Sequence, residues 1–178
     1  MFLSLRSIAN GLTVARAIAG LPLILALQHG YSSLAWWLLL LAGLSDAADG
    51  WLARRAGGGS SWGARLDPLT DKVLIAAPLL WLASEDVLPL WAVWLLLARE
   101  LLISGWRSQA NDGAPASAAG KAKTILRCRS LVLMLWPAGS IGQAGIVPLG
   151  WWLFWPSLLM ALGSAIGYIR PRPRLHRR

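Results

Sequence analysis

Charge is scarce in this chain, and so are cysteine and histidine. Only 14% of the 178 residues are charged and 56% are hydrophobic, whereas a typical soluble domain is about 25% charged. That balance points to a bilayer as solvent. The single cysteine, Cys128, excludes an intrachain disulfide and a multi-cysteine metal centre; it reads as a filler at the start of a helix rather than a reactive thiol. No internal repeat is evident, and the only low-complexity stretch, Gly57-Gly58-Gly59-Ser60-Ser61, reads as a flexible joint. The net charge of +9 does not point to nucleic acid. Its basic residues lie between apolar segments and at the C-terminus, with no separate soluble domain to carry a groove reader, so the expected partner is a membrane surface.

Apolar residues dominate six segments, approximately 12–27, 34–48, 66–83, 88–106, 125–141 and 147–169, each near the length of a membrane-crossing helix. The expected fold is all-α: a polytopic membrane protein with six transmembrane helices forming one domain over 1–169, followed by a basic tail over 170–178. Residues 1–9 suit a short interfacial helix presenting Phe2, Leu3 and Leu5 to lipid. The run ending in Gln28-His29-Gly30-Tyr31 lacks a small-residue cleavage pattern, so the first segment reads as a retained span and not a signal peptide. The connections at 28–33, 84–89 and 142–149 contain no Lys or Arg. All seventeen basic residues fall in or near the N-terminus, the two other linkers or the C-terminus, which predicts both termini on the cytoplasmic side of a bacterial-type plasma membrane. Trp36, Trp37, Trp81, Trp91, Trp94, Trp136, Trp151, Trp152 and Trp155 then fall at the opposite ends of the spans, as interface anchors. The tail alternates basic residues with prolines and suits anionic headgroups.

Acidic residues number eight, and four of them, Asp46, Asp49, Asp67 and Asp71, cluster at the cytoplasmic ends of the second and third segments. Intramembrane carboxylates are costly and usually functional. Asp46 and Asp49 share one helix face, Asp67 and Asp71 share another, and the short linker predicts that the two helices are antiparallel neighbours. Four facing carboxylates raise one another's pKa unless a cation compensates them. With no cysteine or histidine nearby, the oxygen-only set favours Mg2+ or Mn2+, two ions being expected. The plainer alternative is pairing with Arg54, Arg65 and Lys72 as snorkelling surface charges. Gly50 removes a side chain beside Asp49, and Ala53 and Arg54 extend that face, a small surface ending in a guanidinium that suits a pyrophosphate.

The pattern Asp46-x2-Asp49-Gly50-x2-Ala53-Arg54-x8-Gly63-x3-Asp67-x3-Asp71 resembles the signature of the CDP-alcohol phosphotransferases at all eight specified positions. The resemblance extends over nearly the whole chain, since that family is a six-helix membrane fold. It implies a cytidine nucleotide against Gly50, Ala53 and Gly63, a pyrophosphate bound by metal and Arg54, and metal ligation by Asp46, Asp49, Asp67 and Asp71, with Asp71 as general base. A homodimer is the assembly it admits.

Arg99-Glu100-x3-Ser104-x2-Arg107, Gly120-Lys121-x-Lys123-Thr124 and Asn10-x-Leu12-Thr13-x2-Arg16 are similar to the phosphatidylglycerophosphate synthase branch of that family. The donor implied is CDP-diacylglycerol and the acceptor sn-glycerol 3-phosphate. Arg99 and Arg107, eight apart on one helix face, would bind the acceptor phosphate with Lys121 and Lys123; the alternative is ordinary positive-inside residues. Arg127 departs from the branch, which often has glutamine there, and could favour another anionic acceptor. The runner-up is a cardiolipin synthase of the same family, with phosphatidylserine and phosphatidylinositol phosphate synthases behind it. A cation transporter would place its carboxylates near the midplane between repeats, and a membrane scaffold would leave the signature unexplained.

Overall fold

The computed structural model describes the backbone of residues 2–55, 61–109 and 118–169, and the side chains of 11, 14–16, 18–45, 70, 72–105 and 123–165. Among the described residues there are six α-helices and no strand: α1 Phe2–Gln28, α2 Ser32–Arg55, α3 Ser61–Ser84, α4 Leu90–Gln109, α5 Ala118–Met134 and α6 Gln143–Ile169. The tail at 170–178 and the joint at 56–60 lie outside them.

Helix ends follow local chemistry. At the end of α1, Gly30 takes φ 76°, the Tyr31 N–H donates to Ala26 O at 2.8 Å and the Gly30 N–H to Leu27 O at 3.0 Å. This is the Schellman arrangement, in which a left-handed residue lets two orphan carbonyls be satisfied. The end of α3 repeats it with Asp86 at φ 56°, where the Val87 N–H reaches Leu82 O at 3.0 Å and the Asp86 N–H reaches Ala83 O at 3.3 Å.

Two expectations are corrected. Residues 2–9 continue into α1 and do not form a separate helix. The fifth helix is Ala118–Met134 and not 125–141: Gly139 and Gly142 take positive φ and Pro137 has no N–H, so the chain leaves the helix early. Its earlier start runs through Ala119, Lys121, Ala122 and Lys123, good helix formers that a search for apolar runs passes over. Cys128 therefore lies mid-helix and half-buried. Over the described residues α1 packs along both α2 and α3. Small residues permit that close approach, since a Cβ on Gly20 would stand 3.4 Å from the Ala77 Cβ.

α5 and α6 form the other tight pair, with α4 against α3 and α6. Gly150 is the point of closest approach: a Cβ there would lie 2.6 Å from the Met134 nitrogen, and the buried Ser130 hydroxyl donates to Gly150 O at 2.7 Å. Leu23, Leu39, Leu82, Leu96, Leu131 and Phe154 bring all six helices into one core. The outward surface is also apolar, with Leu21, Leu41, Leu80, Leu102, Ile125 and Leu159 exposed on α1 to α6 in turn.

The three connections without Lys or Arg gather at one end. The Ala138 N–H donates to Ser32 Oγ at 3.0 Å and the Trp151 Nε1–H to Val87 O at 3.1 Å. Tryptophans collect there, but not solely as surface anchors: Trp37, Trp91, Trp94 and Trp152 are exposed, whereas Trp36, Trp81, Trp151 and Trp155 pack on the core. Helix direction then puts the start of α1 and the end of α6 at the opposite end, with the aspartate-bearing lengths of α2 and α3. Among the described residues one length, Gln143–Ala165, is long and apolar enough to cross a membrane; shorter apolar lengths run Val14–Gln28, Ser32–Ser45 and Lys72–Ser84.

Candidate functional site

At the end opposite the tryptophans, three buried helix faces change from apolar to polar. On α4 the buried positions Ala92, Val93 and Leu96 lead at helical spacing to Arg99. On α5, Arg127 precedes Ser130, Leu131 and Met134 on the buried face; on α6, Ser164 follows Ser157, Leu158 and Ala161. Periodicity that elsewhere buries leucine thus buries guanidinium groups here, which is costly unless they are paired.

Glu100 supplies the pairing. Its Oε1 accepts from Arg99 Nη1 at 2.7 Å and from Arg127 Nη2 at 3.0 Å, with Lys123 Nζ at 3.7 Å. Arg99 Nη2 donates to Ser164 Oγ at 2.6 Å, and the Ser164 hydroxyl donates onward to Ala161 O at 2.8 Å. The side chains of Arg99, Arg127, Lys123 and Glu100 are 5%, 6%, 12% and 15% exposed. Among the described residues, one carboxylate against three cations leaves a formal excess of two positive charges. Among the described residues, the buried Nε atoms of Arg99 and Arg127 meet no acceptor. An arrangement of this kind can receive an anion with several oxygens.

Of the expected acceptor residues, Arg99 and Lys123 are therefore brought together; the side chains of Arg107 and Lys121 lie outside the described residues. Arg127, expected as a departure near the site, is a full member of the cluster. Ser164 was not anticipated. It lies 65 residues from Arg99, and nothing local distinguishes it from other helix serines.

A cavity of about 460 Å3 opens between α1, α2, α3 and α5, lined by Leu39, Leu44, Leu74 and Val132 and bordered by Arg16 and Arg129. Leu44 precedes Asp46 on α2 and Leu74 follows Asp71 on α3 by less than one helical turn. An apolar groove adjoining a carboxylate-bearing helix pair can take hydrocarbon chains.

The side chains of Asp46, Asp49, Asp67, Asp71, Gly50, Ala53, Arg54 and Gly63 lie outside the described residues. Their backbone is helical: Asp46 and Asp49 stand three apart within α2, and Asp67 and Asp71 four apart within α3. Among the described residues no group of three His, Cys, Asp or Glu converges. His29 adjoins the α1–α2 turn at the tryptophan end and Cys128 lies on α5. The donors on these lengths of α2 and α3 are thus carboxylates, a set that fits a hard divalent cation.

Comparison with known proteins places the whole arrangement. The CDP-alcohol phosphatidyltransferase family model matches residues 6–163. A probable phosphatidylglycerophosphate synthase of Mycobacterium tuberculosis is 31% identical over 172 residues, covering 92% of this chain and 80% of the relative. A CMP-forming cardiolipin synthase of Streptomyces coelicolor is 36% identical over 159 residues, covering 83% and 74%. The CDP-diacylglycerol--glycerol-3-phosphate 3-phosphatidyltransferase of Rickettsia typhi is 28% identical over 173 residues, covering 93% and 97%. With a family match spanning nearly its full length, this chain belongs to the CDP-alcohol phosphatidyltransferase family.

Proposed function

We propose that the protein transfers a phosphatidyl group from CDP-diacylglycerol to sn-glycerol 3-phosphate, giving phosphatidylglycerophosphate and CMP. The carrying observation is the Arg99, Lys123 and Arg127 cluster around Glu100, whose two-charge excess suits a phosphate monoester dianion. Phosphatidylglycerol, the acceptor of a cardiolipin synthase, offers a phosphodiester with one charge. The Streptomyces coelicolor relative supports that second reading, so the acceptor is the point to test.

In the reaction, the primary hydroxyl oxygen of glycerol phosphate bonds to the β-phosphorus of CDP-diacylglycerol as the bond to the CMP phosphate breaks. Asp71 takes the hydroxyl proton. Arg54 holds the pyrophosphate, Gly50, Ala53 and Gly63 leave room for the cytidine nucleotide, and the groove beside Leu44 and Leu74 takes the acyl chains. Asp46, Asp49, Asp67 and Asp71 would hold two Mg2+ or Mn2+ ions, which when bound supply neutralising charge for the phosphoryl oxygens and the departing CMP.

The setting is a six-span bundle in a bacterial-type plasma membrane with this end toward the cytoplasm. Exposed leucine and isoleucine on every helix form far more apolar surface than a soluble monomer presents, and the one-sided distribution of Lys and Arg supports the orientation. Purified protein given CDP-diacylglycerol with glycerol 3-phosphate, phosphatidylglycerol, serine or inositol phosphate separately should release CMP fastest with glycerol 3-phosphate. Release only with phosphatidylglycerol would move the chain to the cardiolipin synthase reading.

A further inference from the structure

We infer that Arg127 binds the acceptor phosphate, held in position by Glu100, and that its charge strengthens the preference for a phosphomonoester dianion over a phosphodiester. The inference rests on the acceptor reading above and deepens it. Arg127 stands where the branch this chain resembles often has glutamine. A glutamine could give Glu100 the same kind of hydrogen bond, so the bond between Arg127 Nη2 and Glu100 Oε1, 3.0 Å, does not by itself require an arginine. What arginine adds is charge and donors. It raises the excess of the described cluster from one positive charge to two, and among the described residues its buried Nε meets no acceptor, as does that of Arg99 across the cluster.

Glu100 constrains both guanidinium groups through one oxygen, at 2.7 Å and 3.0 Å, and Ser164 fixes the far side of Arg99 at 2.6 Å. Each terminal nitrogen so engaged is unavailable to swing toward other partners, and N–H groups remain on both side chains to meet an anion. A guanidinium pair of this kind can meet a monoester phosphate, which offers three terminal oxygens and two charges near neutral pH. A diester offers two such oxygens and one charge, so it leaves one unit of buried positive charge uncompensated.

The test is binding by the purified protein in detergent, using inorganic phosphate and dimethyl phosphate as probes and thermal protection as readout. Wild type should be protected by phosphate and not by dimethyl phosphate. Arg127→Gln should unfold, without added ligand, near the wild-type temperature, yet bind phosphate about tenfold or more weakly, the loss expected for a charge-assisted contact; Arg127→Lys should recover part of it. In turnover, Arg127→Gln should raise KM for glycerol 3-phosphate with little change in kcat or in KM for CDP-diacylglycerol. Undiminished phosphate protection in Arg127→Gln, equal protection of wild type by both probes, or no protection of wild type at all would each overturn the assignment. Should Arg127→Gln fail to fold, the wild-type discrimination between the two probes and the Arg127→Lys titration still decide it. Selective phosphate binding without turnover of glycerol 3-phosphate would instead overturn the proposed function and leave the dianion seat standing.

Discussion

Glu100→Ala should destabilise the protein more than any surface substitution. In the structure one carboxylate oxygen accepts from Arg99 at 2.7 Å and Arg127 at 3.0 Å and faces Lys123 at 3.7 Å. Removing it leaves three largely buried cations facing one another, and deleting one partner of a buried pair costs about 3–5 kcal/mol. For a domain of this size each kcal/mol moves Tm by about 2–4 °C, so a fall of about 6–20 °C is expected. Glu100→Gln keeps a carbonyl oxygen for the two arginines and should lose about half as much. Tryptophan fluorescence during heating in detergent reads the transition, because among the described residues the rings cluster at the far end of the bundle, away from Glu100. A fall of less than about 2 °C for Glu100→Ala would be within the range of surface changes and would refute the claim that Glu100 holds the cluster together.

Gly150→Ala should cost about 1–3 kcal/mol, the usual range for overpacking, because the new methyl would meet the Met134 nitrogen; the same melting assay checks it, and an unchanged Tm would contradict the close α5–α6 packing. Activity should require Mg2+ or Mn2+ and vanish in chelator, and Asp67→Asn should be inactive yet folded, since removing charge from a like-charged set need not destabilise it; full activity in chelator would end the metal proposal. Asp71→Asn should lower turnover by at least about 10²-fold while CDP-diacylglycerol still binds; near-normal turnover would reassign the base. Cysteines introduced at Ser32 and Gly145 should be labelled from outside intact spheroplasts and one at Ser60 should not, and the reverse pattern would invert the orientation.

Features carried by helical spacing were legible in the linear sequence. Asp46 and Asp49, or Asp67 and Asp71, need only an unbroken helix to share a face, and α2 and α3 supply that. The bounds of α5 were not legible, because hydropathy marks where a helix meets lipid and not where it begins; Lys121 and Lys123 lie within the helix. Nor was the packing of α1 along both α2 and α3, which on the α3 side depends on how closely Gly20 and Ala77 let two backbones approach. The cluster around Glu100 was half legible. Arg99 and Lys123 sit in recognisable motifs, but Arg127 pairs with Glu100 across 27 residues and Ser164 with Arg99 across 65, separations that only the assembled bundle closes.

The identity of the acceptor is read from the lipid product. Purified protein incubated with CDP-diacylglycerol, Mg2+ and carbon-labelled sn-glycerol 3-phosphate should yield phosphatidylglycerophosphate carrying the label, with one CMP released per lipid formed, as read by mass spectrometry. CMP release that leaves the label in the water-soluble fraction, or labelled lipid absent while added phosphatidylglycerol is converted to cardiolipin, would contradict the account.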